Sequence, residues 1–472
     1  MQNWLKRKDI DVQGEPGRNR LAPTLSWWHL VALGVGGVVG TGIYTLVGVG
    51  ANLAGPAVIL SFLVAGIICT CAALAYAEVA AMIPASGSAY TYSYVALGEI
   101  FAWVVGWSLI LEYSLVVSAV AVGWSGYASG FLAGLGMPLP PALVAGPYAG
   151  GLLNLPAIVI IAVVAGLLSV GTRESATLNA GLVVVKLAAL LVFMAVAAPH
   201  FHLSAFQPFM PYGFAGHSAN GVPQGVMAAA AIIFFAFYGF DAISTASEEA
   251  KNPGRDLPIG IIGSLAICTL IYIGVAAFAV GSMPFTEYAH SAEPLALILR
   301  KLGAGNAAVA IGAAAIIALP TVILAFLFGQ SRIFFVMARD GLLPRELATI
   351  NTRTGTPVRI TWVTAILVGV LAGLIPLDQI AALANAGTLL AFMAVALCML
   401  ILRRRAPKLC RPFRTRAPWL VGSMAILGCF YLFLSLPSRT QIFFGCWNLV
   451  GLTIYSVVRN FSSEPDGKNL PG

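Results

Sequence analysis

The chain has 472 residues, 59% of them hydrophobic and 9% charged, with a net charge of +8 and a mean hydropathy of +0.90. A soluble domain carries roughly a quarter charged residues. No water-soluble fold covers this much apolar surface, so the composition excludes the soluble classes and leaves a protein that crosses a membrane many times.

The N-terminal stretch MQNWLKRKDIDVQGEPGRNR is polar and mixed in charge, and it lacks the apolar core and cleavage site of a secretory signal. Apolar runs then follow at about 28–53, 56–82, 98–131, 155–171, 174–199, 223–247, 258–281, 305–338, 358–376, 378–402, 417–436 and 440–459. Their lengths suit spanning helices, and the alternation of a membrane barrel is absent. The expected fold is an all-α membrane protein of 12 transmembrane helices. Cys69, Cys71, Cys268, Cys398, Cys410, Cys429 and Cys446 lie in or beside these runs and read as small packing residues. The five histidines sit at span ends or in outer loops without metal spacing, so no metal site is expected.

Charge sets the expected orientation. With the N-terminus inside, 22 of the 26 Lys and Arg fall in the tails and inner loops, and only Arg300, Lys301 and Arg439 fall outside. That bias predicts a multi-pass protein of the cell membrane with both termini cytoplasmic. It also accounts for the basic balance without a nucleic-acid partner. The densest run, RRRAPKLCRPFRTR in the loop before span eleven, reads as topology first and as a contact for anionic lipid second.

The first span contains LGVGGVVGTGIYTLVGVG, with Gly36, Gly37, Gly40 and Gly42 clustered around Thr41. Small residues allow close helix packing, but this cluster has a counterpart. Span six reads AIIFFAFYGFDAISTASEEAKNPGRDLPIG and is interrupted by Gly239 and Asp241. Two interrupted spans separated by five point to inverted repeats around a midplane binding site. The half-helix starting near Gly42 would offer free N–H groups to a carboxylate. The half-helix ending near Tyr238 would offer the carbonyls of Phe235, Ala236 and Phe237 to an ammonium group. Together they fit an α-amino acid.

These blocks, with IPASGSAYTYSY, GQSRIFFVMARDGLLP and NAGTLLAF, resemble the amino acid–polyamine–organocation superfamily, in its bacterial branch similar to cationic amino acid transporters. The resemblance covers about residues 25–460. It implies a leucine-transporter-type 5+5 inverted repeat plus two C-terminal helices, working by alternating access. The organisation it suggests is a tail (1–26), a transport core (27–403, with repeats about 27–200 and 220–403), two further helices (404–460) and a second tail (461–472). It places Val39, Gly40, Thr41 and Gly42 around the substrate carboxylate, Phe235, Ala236 and Tyr238 around the amine and side chain, and Leu319 where the pocket continues.

Lys186 lies in span five about 18 Å deep at 1.5 Å per residue, too far to snorkel comfortably. It reads as a proton carrier, and in similar sodium-independent members a lysine here resembles a tethered substitute for the sodium ion. Glu112 in span three could neutralise a cationic side chain, join a proton path or hydrogen-bond while protonated. Asp241 could tie helices across the span-six break or touch substrate. Glu78, Glu248 and Glu249 close spans two and six and read as solvated helix ends, with gating contacts to loop arginines as the second reading. Pro320, beside Leu319, breaks a helix hydrogen bond near the site.

The expected activity is proton-coupled uptake of a small or medium neutral L-amino acid, with H+ as coupling ion and no cofactor. The alternative is an exchanger or uniporter of a cationic amino acid or amine, and a non-transporting sensor could keep the same site. An intramembrane enzyme lacks a paired nucleophile or carboxylate motif, and an accessory subunit leaves no trace in the sequence.

Overall fold

The computed structural model describes residues 7–8, 25–84, 87–170, 176–218, 221–247, 250–343 and 358–462. Arg173, Glu248, Glu249, Arg345, Arg353 and most of both terminal tails lie outside the described residues. In lipid, a helix satisfies all its own backbone polar groups, and helices dominate throughout. Span one is split into α1 (Trp27–Val38), α2 (Thr41–Tyr44) and α3 (Leu46–Ala54). Then come α4 (Val58–Met82), α5 (Ser88–Ala96), α6 (Glu99–Gly134), α7 (Leu155–Val170) and α8 (Ala176–Ala197). Span six is again divided, into α9 (Val226–Ile233), a 3-10 turn (Phe234–Phe237) and α10 (Ala242–Thr245). The rest are α11 (Pro253–Ser282), the short α12 (Pro294–Lys301), α13 (Gly305–Arg339), α14 (Val358–Leu374), α15 (Leu377–Arg405), α16 (Pro418–Leu434) and α17 (Ser438–Ser462).

Among the described residues, seven helical segments are long and apolar enough to cross a membrane, and the bent pair Pro418–Leu434 and Ser438–Val457, at 112°, makes up to eight. Trp27–Val38, Leu155–Ser169 and Val358–Leu374 are apolar but shorter. The first is short because its span is broken; the other two are single helices of modest length. Large apolar side chains face outward on α14 (Val363, Ile366, Val370) and on α16 (Leu420, Leu427, Phe430), as lipid contact requires. Inside, α6 packs on α13, α14 and α15, α4 packs on α11, and α1 lies along α11.

Pro320 sits within α13. It has no N–H to give the carbonyl four residues back. That carbonyl, of Ile316, accepts instead from the Trp124 indole N–H at 2.9 Å. The proline is thus accommodated by a side chain of α6.

Glu78 corrects the expectation of a solvated helix end. It is fully buried and receives Arg403 Nε at 2.6 Å, Arg403 Nη2 at 2.7 Å and the Thr415 N–H at 2.8 Å. Arg411 Nε lies 3.5 Å away, and its guanidinium donates to the carbonyls of Leu402, Ala406, Pro407 and Leu409, closing the end of α15. The second reading, contact with loop arginines, is the one the structure bears out, though which arginines could not be read locally, since they lie more than three hundred residues beyond Glu78. Two of the clustered arginines are therefore structural, while Arg404 stays exposed and stacks over Trp419 at 4.6 Å. Lys8 reaches Asp340 at 2.9 Å beside the Tyr90 hydroxyl, which donates to the same carboxylate. Five cysteines are buried as expected of packing residues; Cys410 and Cys446 are exposed.

Removing one member of a buried ion pair strands the other and costs ~3–5 kcal/mol, whereas an exposed cation contributes under about 1 kcal/mol. Glu78→Gln is expected to lower the thermal unfolding temperature of the detergent-solubilised protein clearly, and Arg404→Ala to leave it nearly unchanged. Equal effects would show that the buried cluster does not hold the α15–α16 loop in place.

Candidate functional site

Span one breaks where Gly40 takes an extended conformation (φ −143°, ψ −153°) between α1 and α2. The chain is tied on the near side, since the Val39 N–H donates to the Val35 carbonyl at 2.8 Å and the Tyr272 hydroxyl donates to the Val38 carbonyl at 2.8 Å. Thr41 and Gly42 open α2, a position where N–H groups have no partner within the helix. The Thr41 hydroxyl itself donates to the Val120 carbonyl of α6 at 3.4 Å.

Span six breaks in two steps. α9 tightens into the 3-10 turn at Phe234, and Tyr238 then extends (φ −65°, ψ 154°). Gly239 follows at φ +110°, a conformation that L side chains rarely adopt. Asp241 accepts from the Gly239 N–H at 3.2 Å and from the Tyr113 hydroxyl of α6 at 3.5 Å. Its carboxylate therefore braces the break against α6, and it is not among the residues lining the cavity.

The glycines let the two breaks touch through main chain alone. A Cβ on Gly42 would stand 2.2 Å from the Ala236 Cα, and one on Gly239 would stand 2.4 Å from the Gly37 carbonyl carbon. Both are closer than any real contact, so the crossing exists only without those side chains.

Beside the crossing lies a small, partly open cavity. Gly37, Val38, Gly40, Thr41 and Gly42 form one wall, with Phe235 and Tyr238 from span six. The opposite wall is Val116 and Val120 of α6 with Val322 and Phe326 of α13. Among the described residues, no Asp, Glu, His, Lys or Arg lines it.

Of the residues named from sequence, Gly40, Thr41, Gly42, Phe235 and Tyr238 line this cavity. Val39, Ala236 and Leu319 are buried close by in the chain but do not line it. On α13 the lining falls to Val322, three residues beyond Leu319, and Phe326. The α6 wall was missed, although Val116 and Val120 follow Glu112 at helical spacing and share its face.

Lys186 is fully buried, and its ammonium donates to the Gly36 carbonyl at 2.8 Å and to the Thr321 hydroxyl at 3.2 Å. It thus bridges span one, just ahead of the break, to α13. The Tyr44 hydroxyl donates to the Lys186 carbonyl at 3.1 Å, and Tyr127 donates to the Tyr44 carbonyl at 2.6 Å. Glu112 is buried, its Cβ packed against Gly387 of α15.

The carbonyl supply of span six differs from the expectation. The Phe235 carbonyl accepts from the Tyr238 N–H at 3.4 Å. The Ala231 and Ile232 carbonyls are taken by the Asn385 side-chain amide of α15, at 2.6 and 2.9 Å. Asn385 also accepts the Tyr238 hydroxyl. It sits in the NAGTLLAF block, yet nothing local in the sequence marks it.

The amino acid permease family model matches residues 25–458. The chain is 44% identical to the branched-chain amino acid permease of Bacillus subtilis, covering 96% of each protein. It is 40% identical to the methylthioribose transporter of the same organism, over 96% of this chain and 97% of that one. It is also 37% identical to the vacuolar cationic amino acid transporter 4 of Arabidopsis thaliana, over 86% of this chain and 68% of the plant protein.

The crossing makes two glycines behave differently. A methyl at Gly42 must displace backbone, and overpacking of this kind costs about 1–3 kcal/mol or more. At Gly40 the nearest atom to a new Cβ is Val322 Cγ2 at 3.6 Å, an ordinary contact. Gly42→Ala is expected to abolish uptake, and Gly40→Ala to fold normally but raise KM by narrowing the cavity. Size-exclusion profiles and uptake kinetics check both; a Gly42→Ala protein with native KM would remove the close crossing from the site.

Proposed function

The chain belongs to the amino acid permease family, and we propose that it carries a small or medium neutral L-amino acid, of the branched aliphatic kind, into the cell together with protons. It is a membrane transporter of amino acids. The observation that carries the narrower reading is the cavity between the two breaks, walled by three valines and three aromatic rings beyond the span-one backbone and free of ionised side chains. The N–H groups of Thr41 and Gly42 suit a carboxylate, and Phe235 and Tyr238 line the cavity from span six. The aliphatic side chain then lies toward Val116, Val120, Val322 and Phe326. The permease named for branched-chain amino acids, with its 44% identity, supports this choice. An arginine side chain would need an anionic partner in the wall, and Glu112 is not among the residues that line the cavity.

In this proposal, span count and symmetry follow the sequence reading: twelve spans, the first ten forming two inverted halves, with α16 and α17 outside them. The packing supports it, because helices at corresponding places in the halves lie on each other: α4 on α11, α6 on α13 and α7 on α14. Both termini are cytoplasmic, in line with the charge bias, and the protein resides in the cell membrane.

Lys186 supplies the coupling. Charged, it holds the Gly36 carbonyl and Thr321 and so clamps span one to α13. Loss of its proton removes the charge-assisted part of those bonds and frees the first half of span one to shift. Each cycle then releases and regains one proton at Nζ as the two halves move. Transport makes and breaks no covalent bond, so no catalytic group or cofactor is involved.

Purified protein in proteoliposomes tests this with radiolabelled leucine, alanine and arginine. An inward proton gradient is expected to drive leucine and alanine accumulation but not arginine, and Lys186→Ala to lose accumulation. Gradient-independent arginine exchange, equal in Lys186→Ala, would sink both the neutral substrate and the proton mechanism and favour the exchanger.

A further inference from the structure

The span-six wall of the cavity is a 3-10 turn, and something must hold it in that form. In α-helical geometry the N–H groups of Phe235 and Ala236 would close on the carbonyls of Ala231 and Ile232, four residues back. A 3-10 turn reaches only three residues back and has poorer hydrogen bonds. At the junction those carbonyls lose their i+4 donors, although the Phe234 N–H still reaches the Ile232 carbonyl, and the membrane interior offers little to replace them.

Asn385 of α15 resolves this. Its side-chain amide donates to the Ala231 carbonyl at 2.6 Å and to the Ile232 carbonyl at 2.9 Å. Its own carbonyl oxygen accepts the Tyr238 hydroxyl. One fully buried side chain thus engages the start of the turn through main chain and its end through Tyr238. Between those points stands Phe235, whose ring centroid lies 5.0 Å from that of Tyr238. Phe235 and Tyr238 line the cavity; Asn385 does not.

We infer that Asn385 is a positioning residue for the substrate: by clamping both ends of the Phe234–Phe237 turn it fixes Tyr238, and through Tyr238 it sets which side chains the cavity accepts. The inference rests on the cavity being the substrate site. A residue that merely stabilised the fold would change the amount of folded protein and leave the preference between substrates alone.

The test measures KM and Vmax for leucine and alanine in proteoliposomes, with arginine included, for wild type, Asn385→Ala, Asn385→Ser, Tyr238→Phe and the double variant Asn385→Ala/Tyr238→Phe. Leaving buried groups unpaired is worth about a tenfold change, so Asn385→Ala is expected to raise the leucine KM about tenfold and the alanine KM less. Tyr238→Phe, which leaves both carbonyl bonds intact, is expected to shift the leucine-to-alanine ratio in the same direction. Because the two residues act in series, the double variant should be no worse than Asn385→Ala alone. Multiplicative effects, or a wild-type ratio in Tyr238→Phe, would overturn the inference. So would a loss of melting temperature in Asn385→Ala or Asn385→Ser with the ratio unchanged. A wild type that carries arginine alone would sink the neutral-substrate reading instead, and the same comparison then runs on the KM values of arginine and lysine.

Discussion

A backbone polar group in the middle of a bilayer has no water to turn to, and this structure is organised by how it meets that constraint. Two helices are interrupted side by side, and several of the carbonyls released there are given a side-chain partner. Tyr272 takes the Val38 carbonyl, Lys186 takes that of Gly36, and Asn385 takes those of Ala231 and Ile232. At the restart of span one, Thr41 and Gly42 line the cavity, and the proposed function gives their N–H groups to a substrate carboxylate. The same bookkeeping operates away from the site, where Trp124 answers the carbonyl that Pro320 abandons.

The partners come from elements far away in the chain, which ties the breaks to the surrounding helices. α6 supplies Tyr113 to Asp241 and the Val120 carbonyl to Thr41. α15 supplies Asn385, and its far end is anchored to α4 through Arg403 and Glu78. A displacement of either break is therefore felt at named side chains of α6, α11 and α15.

Much of this was legible in the sequence because it depends on local composition. The apolar runs match the helices closely, the Gly36–Gly42 cluster marks one break, and Gly239 with Asp241 marks the other. Gly40, Thr41, Gly42, Phe235 and Tyr238 were found for the same reason: they are the broken segments themselves. What stayed hidden depends on pairing at a distance. Asn385 looks like any polar residue in an apolar run until α9 is placed beside it. Glu78 looks like a helix terminus until Arg403 and Arg411 arrive. The lining of α13 was misjudged by one turn, from Leu319 to Val322, because helix phase relative to a cavity is a property of packing.

The contact between Gly37 and Gly239, and between Gly42 and Ala236, has one more consequence. At Gly42 and Gly239 the peptide groups of the two breaks are pressed together with no room for a larger residue. Mutation can obstruct that crossing but cannot reshape it. Any retuning of what fits must be made elsewhere in the cavity, in the valines of α6, in Val322 and in Phe326, or in the two span-six rings. If the proposed site is the substrate site, the molecule separates a fixed surface, facing the atoms every amino acid shares, from an adjustable one facing the atoms in which amino acids differ.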